Sequence, residues 1–351
     1  MCMANIPNTH LIERKAVKKV SELRYISDKK TSCNTPRLDT LAQLDRFNNS
    51  QAYLSLQKRA FAKYYTRKLI YPLMDLKNDR YQSYKNTYYC VNKLKQDSDG
   101  KVISEYCKNR WCIVCNRIRT GILHNTHKKS LQCVNTKFVT LTTNLTKTCV
   151  TKQDLENAYN VMLNAFQKVW RKTRTKYGKL KALRKTEVTW KFHRGTFHPH
   201  FHIIMESNTD EAEYLVSEWL KLFPNADLKA QDITNTNEKV FNETFKYLCK
   251  MWNTECDKKG NYNIVLPYPP DKMDNIFEVF RGKRIIQTYG LKKVELEDFD
   301  EEIHATVFTD EARDYNSEWV WYQDCKTWID ESTGEFRTKW KDFTKKEFNS
   351  E

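Results

Sequence analysis

No stretch of this sequence approaches the run of about eighteen apolar residues that a membrane-spanning helix needs. Met1 to His10 lack the apolar core of a secretory signal. The expectation is a soluble, cytoplasmic chain with no membrane segment. There is no internal repeat and no long low-complexity segment. Acidic residues are in deficit as well: 44 Asp and Glu stand against 60 Lys and Arg, a formal charge of +16. A chain this basic meets a polyanion, and aromatic residues interleaved among the cations favour nucleic acid over a membrane surface.

With 40% hydrophobic residues the chain can bury a core, and 351 residues suggest a main domain with appended segments. Eleven cysteines without an export signal argue against a disulfide framework. Seven of them are scattered and need no role beyond small buried side chains or idle thiols.

The most informative stretch is Phe197-His-Pro-His-Phe-His-Ile-Ile204, which holds three of the eight histidines at alternate positions. Alternate residues of a strand share a face roughly 6.6 Å apart, so His200 and His202 can reach one metal ion. His198 is about 13 Å from His202 by the same rise. Pro199 cannot donate to a ladder, so the regular strand is expected to start at His200, with His198 as a flanking contact. Ala182 to Trp190 reads as the preceding strand, and a turn around His193, Arg194 and Gly195 brings Glu187 opposite the two histidines. Two imidazoles and a carboxylate leave open positions on a divalent ion that substrate oxygens can fill.

A second cluster comprises Cys107, Cys112 and Cys115, with Cys90 across a polar insert ending in Asp99-Gly100. Four thiolates at these spacings suit a structural zinc ion, with His124, His127 and Cys133 as substitutes should Cys90 not bind. Arg110, Arg117 and Arg119 flank this knuckle and are candidates for phosphate contacts or a solvated face.

The chain divides into a basic, mostly helical extension over 1–80, a zinc-binding segment over 85–135, a main domain over 136–292, and an acidic, Trp-rich tail over 293–351. Within the main domain, Phe138 to Leu145 alternates as a half-buried strand. Thr151 or Asp154 caps an amphipathic helix, and Asp210 to Phe223 forms another. Leu228 to Thr234 is a further strand. Glu238 to Trp252 is a helix presenting Glu243, Tyr247 and Lys250 on one face. Residues after Phe280 supply an edge strand. The expected class is α+β: helices on an antiparallel, RRM-like sheet, with a zinc ribbon and a helical N-terminal extension.

Taken together, four segments over roughly residues 85 to 290 resemble the rolling-circle plasmid replication initiators of the HUH endonuclease superfamily. They are the Cys107–Cys115 knuckle followed by Arg, Phe138-Val-Thr-Leu-Thr, Glu187-Val-Thr with His198-Pro-His-Phe-His202, and Glu243-Thr-Phe-Lys-Tyr247-Leu-Cys-Lys250. One departure is Ile113, where such knuckles often carry Pro. The resemblance implies an HUH palm, with His200 and His202 on a central strand, and strand-specific nicking of origin DNA by Tyr247 through a 5'-phosphotyrosine. It also implies Lys250 as the lysine one helical turn on from that nucleophile. Glu243 is expected to activate the group that releases the ester. The implied cofactors are manganese or magnesium at the histidines and zinc at the cysteines. The implied partners are origin DNA and a host helicase and polymerase.

Competing expectations are a relaxase or single-strand transposase of the same superfamily, a non-catalytic zinc-ribbon nucleic-acid binder, and a two-histidine-one-carboxylate iron oxygenase. Only the relaxase and the transposase share the histidine pair with a tyrosine nucleophile.

Overall fold

In the computed structural model of the protein, the residues described are 51–96, 102–132, 135–237, 240, 244, 249–256, 262–291 and 317–343. They form helices α1 (Gln51–Met74), α2 (Tyr81–Tyr88), α3 (Ile113–Gln132), α4 (Lys152–Tyr177), α5 (Thr209–Leu222) and α6 (Pro270–Val279). The strands are β1 (Lys93–Gln96), β2 (Val102–Ser104), β3 (Thr136–Leu141), β4 (Ala182–Lys191), β5 (Thr196–Glu206) and β6 (Asp232–Asn235). They continue with β7 (Asn253–Cys256), β8 (Tyr262–Val265), β9 (Ile286–Tyr289), β10 (Ser317–Tyr322) and β11 (Thr327–Ile329). The class is α+β.

The central sheet runs β6-β3-β5-β4-β9, antiparallel throughout, with the histidine strand in the middle and β9 at an edge. One face is covered by α4 and α5. The start of α4 is fixed by a reciprocal cap, in which Thr151 Oγ1 accepts from Asp154 N at 3.1 Å and Asp154 Oδ2 accepts from Thr151 N at 2.9 Å. Leu155, Tyr159, Met162, Phe166 and Trp170 recur at helical spacing and are buried. Phe166 meets Phe201 of β5 at 5.8 Å, and Trp219 of α5 meets Phe201 at 6.1 Å. Trp219 also donates its indole N–H to Thr142 O at 2.8 Å, which satisfies the one polar atom of a fully buried ring.

The opposite face carries His200 and His202, because side chains alternate along β5. At the far end of that face, Leu123 and Leu131 of α3 pack on Leu183 and Ile204. Helix α3 thus covers part of the histidine face.

β5 begins at Thr196 and runs through Pro199, which pairs with Val188, so the expected start at His200 is corrected. Phe197 sends its N–H away from β4 to Cys149 O at 2.7 Å. Pro199, two residues on, therefore faces that same side, beyond the end of β3 at Leu141 opposite Phe201. A missing donor costs nothing where no strand waits to receive it.

A second sheet, β11-β10-β1-β2, joins residues 317–329 of the Trp-rich tail to the cysteine segment. Trp328 is fully buried and donates to Val91 O at 2.9 Å. Helix α1 is packed, with Phe61 against Trp340 at 5.8 Å and Phe343 at 5.5 Å. The helix expected over 238–252 falls largely outside the described residues, and its expected end is corrected: residues 249–252, Lys250 among them, are not helical, and Asn253–Cys256 is extended. Cys325, one of the scattered cysteines expected to be small buried side chains or idle thiols, is disulfide-bonded.

Candidate metal centres and active site

The β4–β5 hairpin turns through residues 192–195. Gly195 closes it at φ 61° and donates to Lys191 O at 2.8 Å, a left-handed conformation that a side chain would strain. That closure sets the register, placing Glu187 opposite His200 and Lys185 opposite His202. Each of Glu187, His200 and His202 offers a ligand atom, and all three atoms lie within 4.8 Å of one another. Glu187 Oε2 is 3.6 Å from His202 Nε2.

Both imidazoles are oriented through their Nδ1 atoms. His200 Nδ1 meets His198 O at 3.1 Å, and His202 Nδ1 meets Thr140 Oγ1 at 3.2 Å across the β3 pairing. Only a protonated Nδ1 can bond a carbonyl, so the lone pair of His200 sits on Nε2, the arrangement of a metal-binding imidazole with an outer partner. Phe138 stacks on His202 at 5.1 Å and fixes the ring plane.

The electrostatics agree with cation binding. Burial lowers the pKa of His202 to about 3, helped by its neighbour His200, and burial likewise lowers His200. Both rings are neutral at pH 7. Burial acts to raise Glu187, but Lys185 and the two imidazoles outweigh it and hold the carboxyl below its usual range. An ionised carboxylate beside two neutral imidazoles is a donor set for a divalent ion.

Lys185 was not anticipated. It is 2% exposed, and its Nζ lies 2.9 Å from Glu187 Oε2. It sits two residues before Glu187 on the same strand, so alternation alone puts both on one face. Thr140 was also missed, although it lies on a strand that was recognised. His198 lies beside His200, ring centroids 5.3 Å apart, and is outside the ligand trio, with burial lowering its pKa to about 4. Lys250 is exposed, and Glu243 and Tyr247 lie outside the described residues. Cys249, two residues past Tyr247, is buried; burial pushes its thiol up, and the Glu187 charge adds to this.

The four cysteines also converge. Cys90, Cys107, Cys112 and Cys115 bring their sulfurs within 4.8 Å of one another, with Cys90 to Cys115 at 3.5 Å and Cys107 to Cys115 at 3.7 Å. Hydrogen bonds from Cys112, Cys115 and Cys90 pull Cys107 toward the thiolate. Burial pushes Cys112 up, and bonding to Cys107 pushes Cys115 up. Four crowded thiols, one of them drawn toward the thiolate, are a donor set that a dication would complete. Val91 and Lys108, each following a cysteine, adopt left-handed backbone at φ 55° and 57°. Left-handed backbone is a strained choice for a β-branched residue such as Val91 and is held by its surroundings. Two of the flanking arginines are used internally rather than facing solvent. Arg110 donates to Phe280 O at 3.1 Å, and Arg119 to Lys108 O at 2.9 Å. His127 is buried away from the cluster, and Cys133 lies outside the described residues.

Among the described residues no helix is long and apolar enough to cross a membrane. The family described as replication protein matches residues 102–326, which include both strands of the Glu187, His200 and His202 trio and all the clustered cysteines except Cys90. A Protein rep from Staphylococcus aureus is 28% identical over 218 residues, covering 57% of this chain and 92% of that protein. No solved structure matches. With its histidine strand and cysteine knuckle inside the matched span, the chain belongs to the replication protein family and is a rolling-circle plasmid replication initiator.

Proposed function

We propose that this initiator nicks one strand of its plasmid origin by a metal-assisted attack of Tyr247, keeping the phosphoester energy in a protein–DNA bond. The observation that carries it is the convergence of Glu187, His200 and His202 on one face of the central sheet. Held there, a manganese or magnesium ion would supply Lewis acidity to a non-bridging phosphate oxygen. Zinc is the ion we assign to the four cysteines, in a structural role.

The remaining chemistry belongs to side chains. His200 and His202 hold their Nε2 atoms toward the site because His198 O and Thr140 Oγ1 engage the other nitrogens. Lys185 keeps Glu187 ionised and in place. A phenol is a weak nucleophile at its ordinary pKa near 10, so it needs a polarised phosphate. The Tyr247 oxygen bonds to phosphorus as the bond to the 3' oxygen breaks. The phenol gives up its proton, and the departing oxygen gains one and becomes a 3'-hydroxyl primer. Lys250 orients the phosphate, and Glu243 activates the water or hydroxyl that later releases the tyrosine ester. The free 3' end suits extension by a host polymerase behind a helicase.

The deciding experiment incubates the protein with labelled single-stranded origin DNA and manganese. A covalent band in the wild type that is lost in Tyr247→Phe, with DNA binding kept, is the expected result. A band that survives in Tyr247→Phe would move the nucleophile elsewhere. A protein that binds but never forms an adduct would be a non-catalytic nucleic-acid binder.

A further inference from the structure

A groove of about 680 Å³ lies between α4 and α5, lined by Lys168, Arg171, Lys172, Lys176, Tyr214 and Glu218. Lys168, Arg171 and Lys172 fall at i, i+3 and i+4 on one exposed face of α4, and Lys168 to Lys176 spans about 12 Å of helix. Four cations therefore face one carboxylate. Glu218 is engaged by Lys172 at 2.6 Å and also by Lys221. Lys168 and Arg171 make no ion pair among the described residues. Cations in the last turn of a helix are favoured by its dipole. That accounts for Lys176, but Lys168 and Arg171 lie one to two turns further in.

We propose that this groove is a second DNA-binding surface, taking the sugar-phosphate backbone of duplex DNA. The proposal rests on the nicking function, since it assigns a separate place to the DNA flanking the cleaved strand. The separation follows from the fold. Phe166 of α4 packs on Phe201, whose side chain leaves β5 on the face opposite His200 and His202. The groove lies on the outer side of that helix layer, so DNA bound at the histidines does not occupy it. Its chemistry favours phosphates over bases. Single-strand platforms need open aromatic faces, whereas Tyr214 is covered by Lys176 Nζ at 4.1 Å from the ring centroid. Cations spaced along one exposed helix face suit a row of phosphates, contacts that add affinity and orientation rather than sequence choice.

The test uses the full chain carrying Lys168→Gln with Arg171→Gln. Glutamine has a helix propensity close to that of Lys and Arg, so α4 should persist. Binding to a duplex of arbitrary sequence is titrated across a salt series, beside adduct formation on single-stranded origin DNA. Removing two phosphate contacts should flatten the slope of log affinity against log salt by about 2. Duplex affinity should fall about tenfold at low salt, while adduct yield stays unchanged. An unchanged slope and affinity would overturn the proposal. So would a parallel loss of adduct, which would place the groove on the path of the cleaved strand. If the wild type itself forms no adduct, the nicking function fails, and the duplex titration still decides the groove.

Discussion

Replacing Glu187 with Gln separates two jobs that the structure gives one carboxylate. Its Oε2 lies 2.9 Å from Lys185 Nζ, and Lys185 is 2% exposed while Glu187 is 24% exposed. At an effective dielectric of about 20, the direct attraction at that distance is roughly 6 kcal/mol before desolvation is subtracted. Removing one partner of a buried pair typically costs about 3–5 kcal/mol, because the other charge stays buried. The partial exposure of Glu187 puts the expectation near 3 kcal/mol, against a total stability of about 5–15 kcal/mol for a domain. The double variant Lys185→Met with Glu187→Gln removes both charges and should recover most of that loss. Metal affinity should behave differently: Glu187→Gln and the double variant should both bind manganese at least about tenfold more weakly, roughly 1.4 kcal/mol. Urea unfolding with chelator reads the first quantity, and calorimetric titration of manganese reads the second. Equal destabilisation of the single and double variants would refute the ion-pair argument. Wild-type manganese affinity in Glu187→Gln would remove Glu187 from the ligand set.

The other predictions concern separate parts of the molecule. His200→Ala with His202→Ala should abolish metal-dependent cleavage while duplex binding persists; residual cleavage at the wild-type rate would refute the site. Cys112→Ser should purify without the zinc expected in the wild type and unfold at lower urea, since structural zinc contributes about 10–16 kcal/mol in small fingers; full zinc content would refute the cysteine assignment. In metal-free protein, burial holds His198 near pKa 4 and His202 near 3, against about 6.5 unfolded. The unfolded chain binds more protons between those values, so stability should rise with pH across that window and be lost as pH falls below about 6.5. A urea midpoint that stays flat from pH 7 to 5 would contradict this. Asp274 is buried and accepts from Asn78 at 2.7 Å, from Arg80 Nε at 2.6 Å and from the Tyr84 hydroxyl. Asp274→Asn should therefore cost about 3–5 kcal/mol, read as a lower urea midpoint at unchanged slope; a loss under 1 kcal/mol would show that the network is not needed.

The histidine site was legible because its geometry is local. Gly195 pins a short turn, and counting back along two strands puts Glu187 opposite His200 with no further information. The same holds for Cys112 and Cys115, one helical turn apart at the start of α3. What escaped depends on pairing between distant segments. Thr140 orients His202 only because β3 lies beside β5, more than sixty residues away in sequence. Trp328 reaches Val91 across 237 positions, and nothing in a Trp-rich, acidic tail specifies that partner. Yet this contact bears on the cysteine centre directly. Val91 follows Cys90 in a left-handed conformation that a β-branched residue adopts only when its neighbours hold it. Its N–H is held by Glu105 O at 2.8 Å and its carbonyl by the buried Trp328 indole. The tail thus supplies one of the two backbone hydrogen bonds that hold Val91, beside those that Thr87 O and Lys63 Nζ make to Cys90 itself. Cys90 was the least determined of the four cysteines from sequence because one of its anchors lies at the opposite end of the described chain.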